Sequence, residues 1–335
     1  MSASSGLHPP ARRQPSSGRQ PSPGRQLSSS WQPSSGRHAT SDDTVAVVTD
    51  GAASLPDAVR DHLGIRIVPM AVVLGDEVRR DHELSPADIL DGAARGPVTT
   101  SAPSPGDYLG ALGELRDRHV VVLTVARGMS ASYESAKIAA GYLEKRRAAV
   151  VDTQTAAGGQ GLVVMAAARA ARAGAGLDDV AAAAQRVIRR VHLLASLDRL
   201  DHLATSGRVP KVVTLAGRSV GMRAIFEFSF GRARVRMPAR NADSAVARIV
   251  AACGADDPGG ARLHAAVLDA EAPAAAEALM DAVQHLAPRG EIYAAPFSSV
   301  MVAHTGPGLA GLAWWWEPRE ELVPTGQHVA GGETG

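Results

Sequence analysis

One pattern repeats from Thr44 onward: a short segment that is apolar at nearly every position, a loop, and then a helix. A strand that is apolar on both faces must be buried on both faces, as in a parallel sheet covered by helices. The pattern predicts an α/β fold whose first domain, residues 44–190, is a doubly wound parallel sheet. Its extended segments are predicted at Thr44–Asp50, Ile65–Gly75, His119–Ala126 and Ala148–Thr153.

Helix starts in this first half carry capping residues. Ser85 and Ser104 are each followed by a proline and, three residues after the serine, by Asp88 and Asp107. This is the arrangement of a capping box with proline in the first turn. Two further helices are predicted at Ala131–Arg146 and Gly158–Gly174.

The second half changes character. The segment Met222–Arg240 predicts two strands joined at Gly231, which is a β-hairpin. Residues 191–317 are therefore predicted to form a second α/β domain, with a mixed or antiparallel sheet and helices on one face. Its other elements are predicted at Ala242–Ala252 (helix), Leu263–Asp269 (strand), Pro273–Leu286 (helix), Ile292–Phe297 (strand) and the closing segment Leu312–Glu317.

The two ends of the chain have a different composition. Residues 1–43 repeat a QPSSGR-like unit three times, contain five arginines and reach their first acidic residue only at Asp42. Such a segment buries too little apolar surface to offset chain entropy. We expect a disordered N-terminal arm, with an organelle transit peptide as the alternative. Residues 318–335, rich in Gly and Glu, are expected to form a loose C-terminal tail.

Charge and hydropathy limit the partners. The net charge is +1, so no strong overall field attracts nucleic acid or an anionic membrane. No apolar run reaches the ~20 residues of a membrane span, and the N-terminus lacks the apolar core of a secretory signal. We therefore expect a cytoplasmic protein with no nucleic acid partner and no stable membrane insertion.

The motifs of common cofactor sites are missing. Cys253 is the sole cysteine and no two histidines have the H-x-x-x-H spacing, so no metal site is expected. The loop after the first strand, Asp50–Ser54, lacks the G-x-G-x-x-G pattern of dinucleotide sites. The GGQG segment Gly158–Gly161 begins a helix, where it could cradle phosphate or allow close helix-to-strand packing; we favour packing. No cofactor is expected.

Hydroxyl-bearing side chains cluster in three predicted loops: Asp50–Ser54, Thr99–Pro105 and Ala126–Ala136. In open α/β sheets ligands bind at the carboxyl ends of the strands, where hydroxyls and free N–H groups at helix starts suit an anionic oxygen. His304, in a turn rich in Gly and Pro, could cap a carboxylate. The alternatives are local roles: Ser104 as a helix cap, and Ser132 and Ser135 as solvated helix residues.

Six segments, taken together and in this order, resemble motifs of the DegV family. They are VTDGAASL, TTSAPSP, GMSASYESA, DTQTAAGGQG, LDRLDHLATSGRV and HTGPGLAGLAW, spanning Val47 to about Trp314. The resemblance implies a two-domain DegV-like fold that holds one long-chain fatty acid between its domains. It also implies a partner, a separate fatty acid kinase that receives the acid and forms acyl phosphate. No residue of this chain is then expected to be catalytic.

The resemblance carries a ligand site over to this sequence. Thr100 and Ser130 are expected to hydrogen-bond the carboxylate, and His304 to reach it from the second domain. Arg208 matches the arginine of the family's G-G-R-I turn and is expected to contact the kinase. The complete expected ligand site is Thr100, Ser101, Ser130, Ala131, His304 and Thr305.

The sequence departs from the family pattern at several positions. Gly51 stands where the family has serine, which removes one hydroxyl, and Ala131 stands where it has glycine. Thr205 and Ser206 replace the K-G that precedes the G-R-I turn.

Two other classes of protein remain open from the sequence. A dihydroxyacetone-kinase-like enzyme of related fold would need a covalent or metal-bound substrate site, and neither is evident. A regulatory protein could use its basic arm on nucleic acid, but five arginines with a single aromatic residue, Trp31, give little support to that.

Overall fold

A computed structural model describes residues 45–115, 118–144, 147–197, 223–286 and 289–319 of the chain. The predictions for the N-terminal arm, for Arg208 and for most of the C-terminal tail concern residues outside these ranges. Among the described residues, no helix has the length and apolar character that crossing a bilayer requires.

The first half forms a parallel sheet of four strands in the order β2-β1-β6-β7. Strands β1 and β6 are buried at every position, which confirms the interpretation of their continuous apolar sequence. The strands are β1 (Ala46–Asp50), β2 (Ile65–Val68), β6 (Val120–Thr124) and β7 (Ala148–Asp152).

Helices cover both faces of this sheet, so the predicted doubly wound arrangement is confirmed. Alternate residues of β1 and β6 pack on opposite sides, because successive side chains of a strand point to opposite faces. On one face lie α3 (Pro105–Gly113) and α4 (Ser132–Ala140); on the other lie α1 (Asp57–Leu63), α5 (Ala157–Arg172) and α6 (Leu177–Ile188).

A small antiparallel sheet, in the order β4-β3-β5, was not expected from the sequence. The single extended run predicted at Ile65–Gly75 is wrong: it divides between the two sheets around Pro69 and Met70. Proline has no N–H to donate to a strand ladder, so the chain leaves the parallel sheet there. The small sheet consists of β3 (Ala71–Leu74), β4 (Glu77–Arg80) and β5 (Val98–Ser101), with α2 (Pro86–Arg95) between β4 and β5.

The second half forms a six-stranded sheet in the order β10-β9-β8-β13-β11-β12. β11 and β12 pair in parallel and the other neighbours are antiparallel, which confirms the predicted mixed sheet. The predicted hairpin around Gly231 is also present. Its strands are β8 (His192–Leu197), β9 (Arg223–Ser229), β10 (Arg232–Ala239), β11 (Arg262–Ala270), β12 (Arg289–Pro296) and β13 (Leu309–Glu317).

One face of the mixed sheet carries its own helices, α7 (Ala242–Ala255) and α8 (Pro273–Gln284), as predicted. The opposite face packs against α5 of the first half, so the two halves share one apolar core. A short helix, α9 (Ser299–Thr305), then connects β12 to β13. The division into domains at residue 190 stays a prediction.

Glycines at the start of α5 allow this helix to lie directly on the mixed sheet. A Cβ atom at Gly158 would lie 2.8 Å from the Cβ of Ala266 and 2.9 Å from Cδ1 of Leu268, both on β11. A Cβ atom at Gly161 would lie 2.8 Å from the carbonyl oxygen of Ala53. The packing interpretation of the GGQG segment is therefore confirmed.

We predict that Gly158→Ala destabilises the fold, because the added methyl group has no room. Overpacking of this kind costs about 1 to 3 kcal/mol of unfolding free energy. Gly110→Ala is the matched control, since Gly110 lies in α3 with nothing within 4 Å of an added Cβ. That control should be neutral or stabilising. Urea denaturation of both variants measures the difference, and equal stabilities would contradict the packing argument.

A group of charged side chains lies where α5 meets the far end of the mixed sheet. Arg169 of α5 forms an ion pair with Glu291 of β12. Nδ1 of His264 accepts a hydrogen bond from the Glu291 N–H at 3.3 Å, while Nε2 lies 3.1 Å from a Glu317 carboxylate oxygen. The His264 ring also stacks on Trp315, with 4.7 Å between centroids. Burial lowers the pKa of His264, so its neutral form is favoured, with Nε2–H donating to Glu317.

We predict that acid weakens the fold through His264. Its folded pKa lies below the ordinary 6.5, so the unfolded chain binds the extra proton more readily. The stabilising contribution of neutral His264 to the free energy of unfolding is therefore fully present above the unfolded pKa of 6.5, and it is lost as the pH falls from there through the lower folded pKa. His264→Gln should flatten the fall in unfolding free energy between neutral pH and about pH 5. His285→Gln, at an exposed histidine, is the control; equal slopes in both variants would contradict the assignment.

Candidate functional site

A cavity opens where the two halves of the chain and the small sheet meet. Its apolar wall comes from both halves, and its polar groups are Thr100, Ser130, His304 and Thr305. The cavity has a volume of about 170 Å³. The remaining lining residues are Ala52, Met70, Ala102, Val125, Met129, Ala131, Phe228, Val300 and Met301.

Thr100 and His304 form the hydrogen bond that joins the two halves at this cavity. Thr100 Oγ1 lies 2.8 Å from Nε2 of His304, and the ring tautomer decides which group donates. Thr100 lies on β5, and His304 lies in the last turn of α9. The predictions that Thr100 lies in a loop and His304 in a turn are therefore wrong, because each belongs to a regular element.

Ser130 lies at the cavity just before α4. Its Oγ accepts a hydrogen bond from the Ser132 N–H at 3.2 Å and lies 3.0 Å from the Ser132 hydroxyl. A serine that bonds the N–H two residues ahead holds the chain in the turn that begins a helix. Ser132 is fully buried, so the expectation that it merely solvates the helix is wrong.

Asp50 holds two segments of the cavity wall in place through hydrogen bonds to their backbone. Its buried carboxylate accepts hydrogen bonds from the N–H groups of Val125 (2.9 Å) and Ala52 (3.2 Å), both of which line the cavity. The amide of Gln160 donates to it at 2.9 Å. Burial raises the pKa of Asp50, and these hydrogen bonds act against that rise. Sequence reasoning did not assign Asp50 a role, although an aspartate that ends a fully apolar strand was the available signal.

The other expected site residues have different environments. The buried Thr305 hydroxyl donates to the Met301 carbonyl oxygen at 3.1 Å, within its own helix. Ala131 is exposed and lines the cavity, so it marks the cavity mouth. Ser101 lies on the exposed face of β5, opposite Thr100, and does not line the cavity. Arg208 lies outside the described residues.

The expected convergence of three hydroxyl-rich loops is realised only in part. The Ala126–Ala136 loop brings Ser130 to the cavity, whereas the Asp50–Ser54 segment contributes Ala52 and no hydroxyl. Ser54 instead lines a second cavity on the other side of the short 3-10 helix Gly51–Ala53. Ser104 is a helix cap, as the alternative interpretation proposed, because it accepts the Asp107 N–H at 3.1 Å.

Gly51, which departs from the family pattern, has a local explanation. A Cβ atom there would overlap the carboxylate of Asp81. Asp81 is buried, which raises its pKa, and its Oδ1 accepts the N–H of His82 at 2.9 Å. The missing side chain at Gly51 therefore makes room for Asp81.

The described residues contain no group of three or more His, Cys, Asp or Glu side chains able to hold a metal ion. They do bring together an apolar cavity with a few polar groups at one place, which is the usual form of a site for a small amphipathic molecule. The fold and the site together define an α/β protein in which a parallel sheet and a mixed sheet contribute to a largely apolar cavity with a few polar groups.

The comparisons with known proteins identify the family. The family model described as "Uncharacterised protein, DegV family" matches residues 44–317. A DegV domain-containing protein of Streptomyces coelicolor is 32% identical over 278 residues, which cover 80% of this chain and 97% of that protein. A similar protein of Mycobacterium tuberculosis is 29% identical over 274 residues, covering 80% of this chain and 96% of the relative. The chain belongs to the DegV family.

Solved structures show the same fold. A DegV family protein from Thermus thermophilus, described by its fatty acid binding, is 30% identical and superposes with a TM-score of 0.77, covering 82% of this chain and 99% of its own. DegV from Bacillus subtilis, described as a fatty acid binding protein, is 24% identical with a TM-score of 0.73, covering 82% of this chain and 100% of its own. At that lower identity the likeness concerns the fold alone.

We predict that Thr100→Val changes the state of the His304 ring. Valine has nearly the shape of threonine but cannot form the 2.8 Å hydrogen bond to Nε2. Nitrogen NMR of the histidine ring should show a changed Nε2 resonance, with a loss of about 0.5 to 1.5 kcal/mol of stability. Ser101→Ala, on the opposite face of the same strand, should leave the resonance unchanged. An unaltered ring in Thr100→Val would mean that the hydrogen bond does not form.

Proposed function

We propose that this protein binds one long-chain fatty acid, with its carboxylate at Thr100, Ser130 and His304 and its tail along the apolar wall. The observation that carries the proposal is the Thr100–His304 hydrogen bond, which lies together with Ser130 at a cavity that is otherwise largely apolar. The similarity to a structure described by its fatty acid binding supports the same ligand class.

The physical properties of the cavity suit such a ligand. Hydroxyl and imidazole groups from two halves of the chain can hydrogen-bond a carboxylate, and Met70, Phe228 and Met301 offer apolar contact. Burial of each CH₂ group contributes about 0.8 kcal/mol, so the tail accounts for most of the affinity and the polar groups mainly set its orientation.

The direct test is to find the ligand. The protein purified from a bacterial host should release about one C14 to C18 fatty acid per chain on denaturing extraction and mass spectrometry, as expected for a cavity that shelters a long apolar tail. An empty protein that also fails to take up oleate or palmitate would overturn the proposal.

We predict that head-group variants weaken binding without abolishing it. Each hydrogen bond to a charged group contributes about 1.5 to 3 kcal/mol, which is less than the tail contributes. Thr100→Val, Ser130→Ala and His304→Gln should each lower the affinity for oleate by roughly tenfold or more. Displacement of a fluorescent fatty acid measures this, with Ser101→Ala as the control that should bind like the unaltered protein. Complete loss of binding in every single variant would contradict the dominance of the tail.

The finer part of the proposal is presentation of the carboxylate to a separate fatty acid kinase. Ala131 is exposed, lines the cavity and directly follows Ser130. The polar groups would therefore lie near the cavity mouth, where a second protein could reach them. Arg208 is proposed as a kinase contact. In this role the protein is a binding subunit of the cytoplasm and not an enzyme.

A reconstitution test separates the binding subunit from the enzyme alternative. The purified protein, ATP and oleate should yield no acyl phosphate, and product should appear only after a fatty acid kinase is added. ATP-dependent phosphorylation of oleate by the protein alone would instead favour an enzyme of the dihydroxyacetone-kinase-like kind.

A further inference from the structure

A second cavity, larger than the first, lies on the other side of the 3-10 helix Gly51–Ala53. Its volume is about 590 Å³, against about 170 Å³ for the cavity described above. Ala52 lines the first cavity, whereas Gly51 and Ala53 line the second, so the helix separates the two. Residues of α1 and of the segment after β4 line it together with the segment between β12 and α9. The second cavity therefore lies between the two halves of the chain, and the proposed fatty acid site does not account for it.

A buried carboxylate forms part of the wall of this second cavity. Asp81 is only 6% exposed, and its Oδ2 lies in the space that a side chain at Gly51 would fill. Its Oδ1 accepts the His82 N–H at 2.9 Å. Within the residues that the structure describes, no lysine or arginine forms an ion pair with Asp81, and the His82 ring, 3.8 Å away, is exposed to solvent. A buried charge without a close counter-charge is unfavourable, so a cation that enters the cavity would be stabilised there.

A hydroxyl group in the same cavity also lacks a partner. Ser298 Oγ is buried and forms no hydrogen bond within the described part of the chain. The backbone N–H of Ser298 donates to Ser54 Oγ at 3.1 Å, which holds this segment against the first half. A buried polar atom without a partner costs free energy, and a ligand that donates a hydrogen bond to Ser298 Oγ would remove that cost.

The other charged groups at the second cavity do not neutralise Asp81. Arg60 forms ion pairs with Asp57 at 2.9 Å and with Asp61 at 3.1 Å. Two carboxylates of the lining, those of Asp57 and Asp81, are thus balanced by a single guanidinium group. Apolar side chains complete much of the wall, among them Leu55, Ile67, Leu84 and Phe297. The lining disfavours an anion and suits a cation that also has an apolar part.

We propose that this second cavity binds a small primary amine with an apolar substituent, in its ammonium form. An ammonium group has three N–H donors, so it can pair with Asp81 while it donates to Ser298 Oγ. Hydrogen bonds between charged groups are among the stronger polar contacts. The apolar substituent lies along the aliphatic and aromatic side chains of the wall. This site is additional to the proposed fatty acid site and does not depend on it.

The test is isothermal titration calorimetry of the full-length protein with two probes that share a phenyl group. 2-Phenylethylamine is a cation near neutral pH, and 2-phenylethanol is the neutral molecule of nearly the same shape. We expect the amine to bind about tenfold more tightly than the alcohol or better, because only the ammonium group can pair with the buried carboxylate.

Two variants assign the binding to this cavity. Asp81→Asn keeps the shape of the side chain but removes its charge, and it should lower the affinity for the amine about tenfold while leaving the affinity for the alcohol unchanged. Ser298→Ala removes a hydroxyl that has no partner, so the melting temperature should stay equal or rise while the affinity for the amine falls several-fold. The matched controls are Asp91→Asn, at an exposed carboxylate of α2, and Ser101→Ala, and both should bind the amine like the unaltered protein.

Equal affinities for the amine and the alcohol would overturn the proposal. So would an affinity for the amine that falls no further in Asp81→Asn and Ser298→Ala than in their controls. If Asp81→Asn does not fold, the comparison of Ser298→Ala with Ser101→Ala decides alone.

Oleate binding, measured on the same proteins, separates this inference from the proposed function. Both test variants should bind oleate like the unaltered protein. Amine binding without oleate binding would refute only the proposed function, whereas oleate binding without amine binding would refute only the second site. Amine binding that disappears in proportion to oleate occupancy would mean that the second cavity holds the tail of the acid, and this result would also overturn the proposal.

Discussion

The close contact of α5 with the mixed sheet is the constraint on which the rest of the molecule depends. Gly158 and Gly161 have no room for a side chain, so the helix backbone lies directly against β11 and the 3-10 helix after β1. Because α5 also covers one face of the parallel sheet, a single helix sets the distance between the two sheets. The cavity draws its wall from both halves, including Ala52 of that 3-10 helix and Phe228 of the mixed sheet.

The same helix supplies the polar contact that shapes the cavity wall. Gln160 donates to the buried Asp50, whose carboxylate in turn accepts the N–H groups of Ala52 and Val125. A buried carboxylate is costly unless it is well hydrogen-bonded, so this arrangement has little freedom to shift. The wall is thereby held rigidly on one side, while Thr100 and His304 join the two halves across the other.

Regular patterns in the sequence predicted most of the fold. The failures occur at short elements and where neighbouring sequence belongs to different sheets. The apolar strands β1 and β6 and the hairpin at Gly231 were recognisable because each is a local pattern. The Ile65–Gly75 run was predicted as one extended segment, although Pro69 within it marks the place where the chain leaves the parallel sheet. β5 was missed because four residues with two adjacent threonines read equally well as a loop. The helical position of His304 was missed for a similar reason, because α9 is only a short helix just before a turn rich in Gly and Pro.

The sequence by itself determined the family, the doubly wound first sheet, the mixed second sheet and the residue types able to hold an anion. Only the tertiary structure decided which of those residues meet. Thr100 and Ser101 are adjacent in sequence, but strand alternation places one at the cavity and the other on the exposed face. Thr100 and His304 are 204 residues apart and come within hydrogen-bonding distance. Such a pairing depends on how helices and sheets pack, and packing depends on the whole chain at once, which no local pattern of residues records.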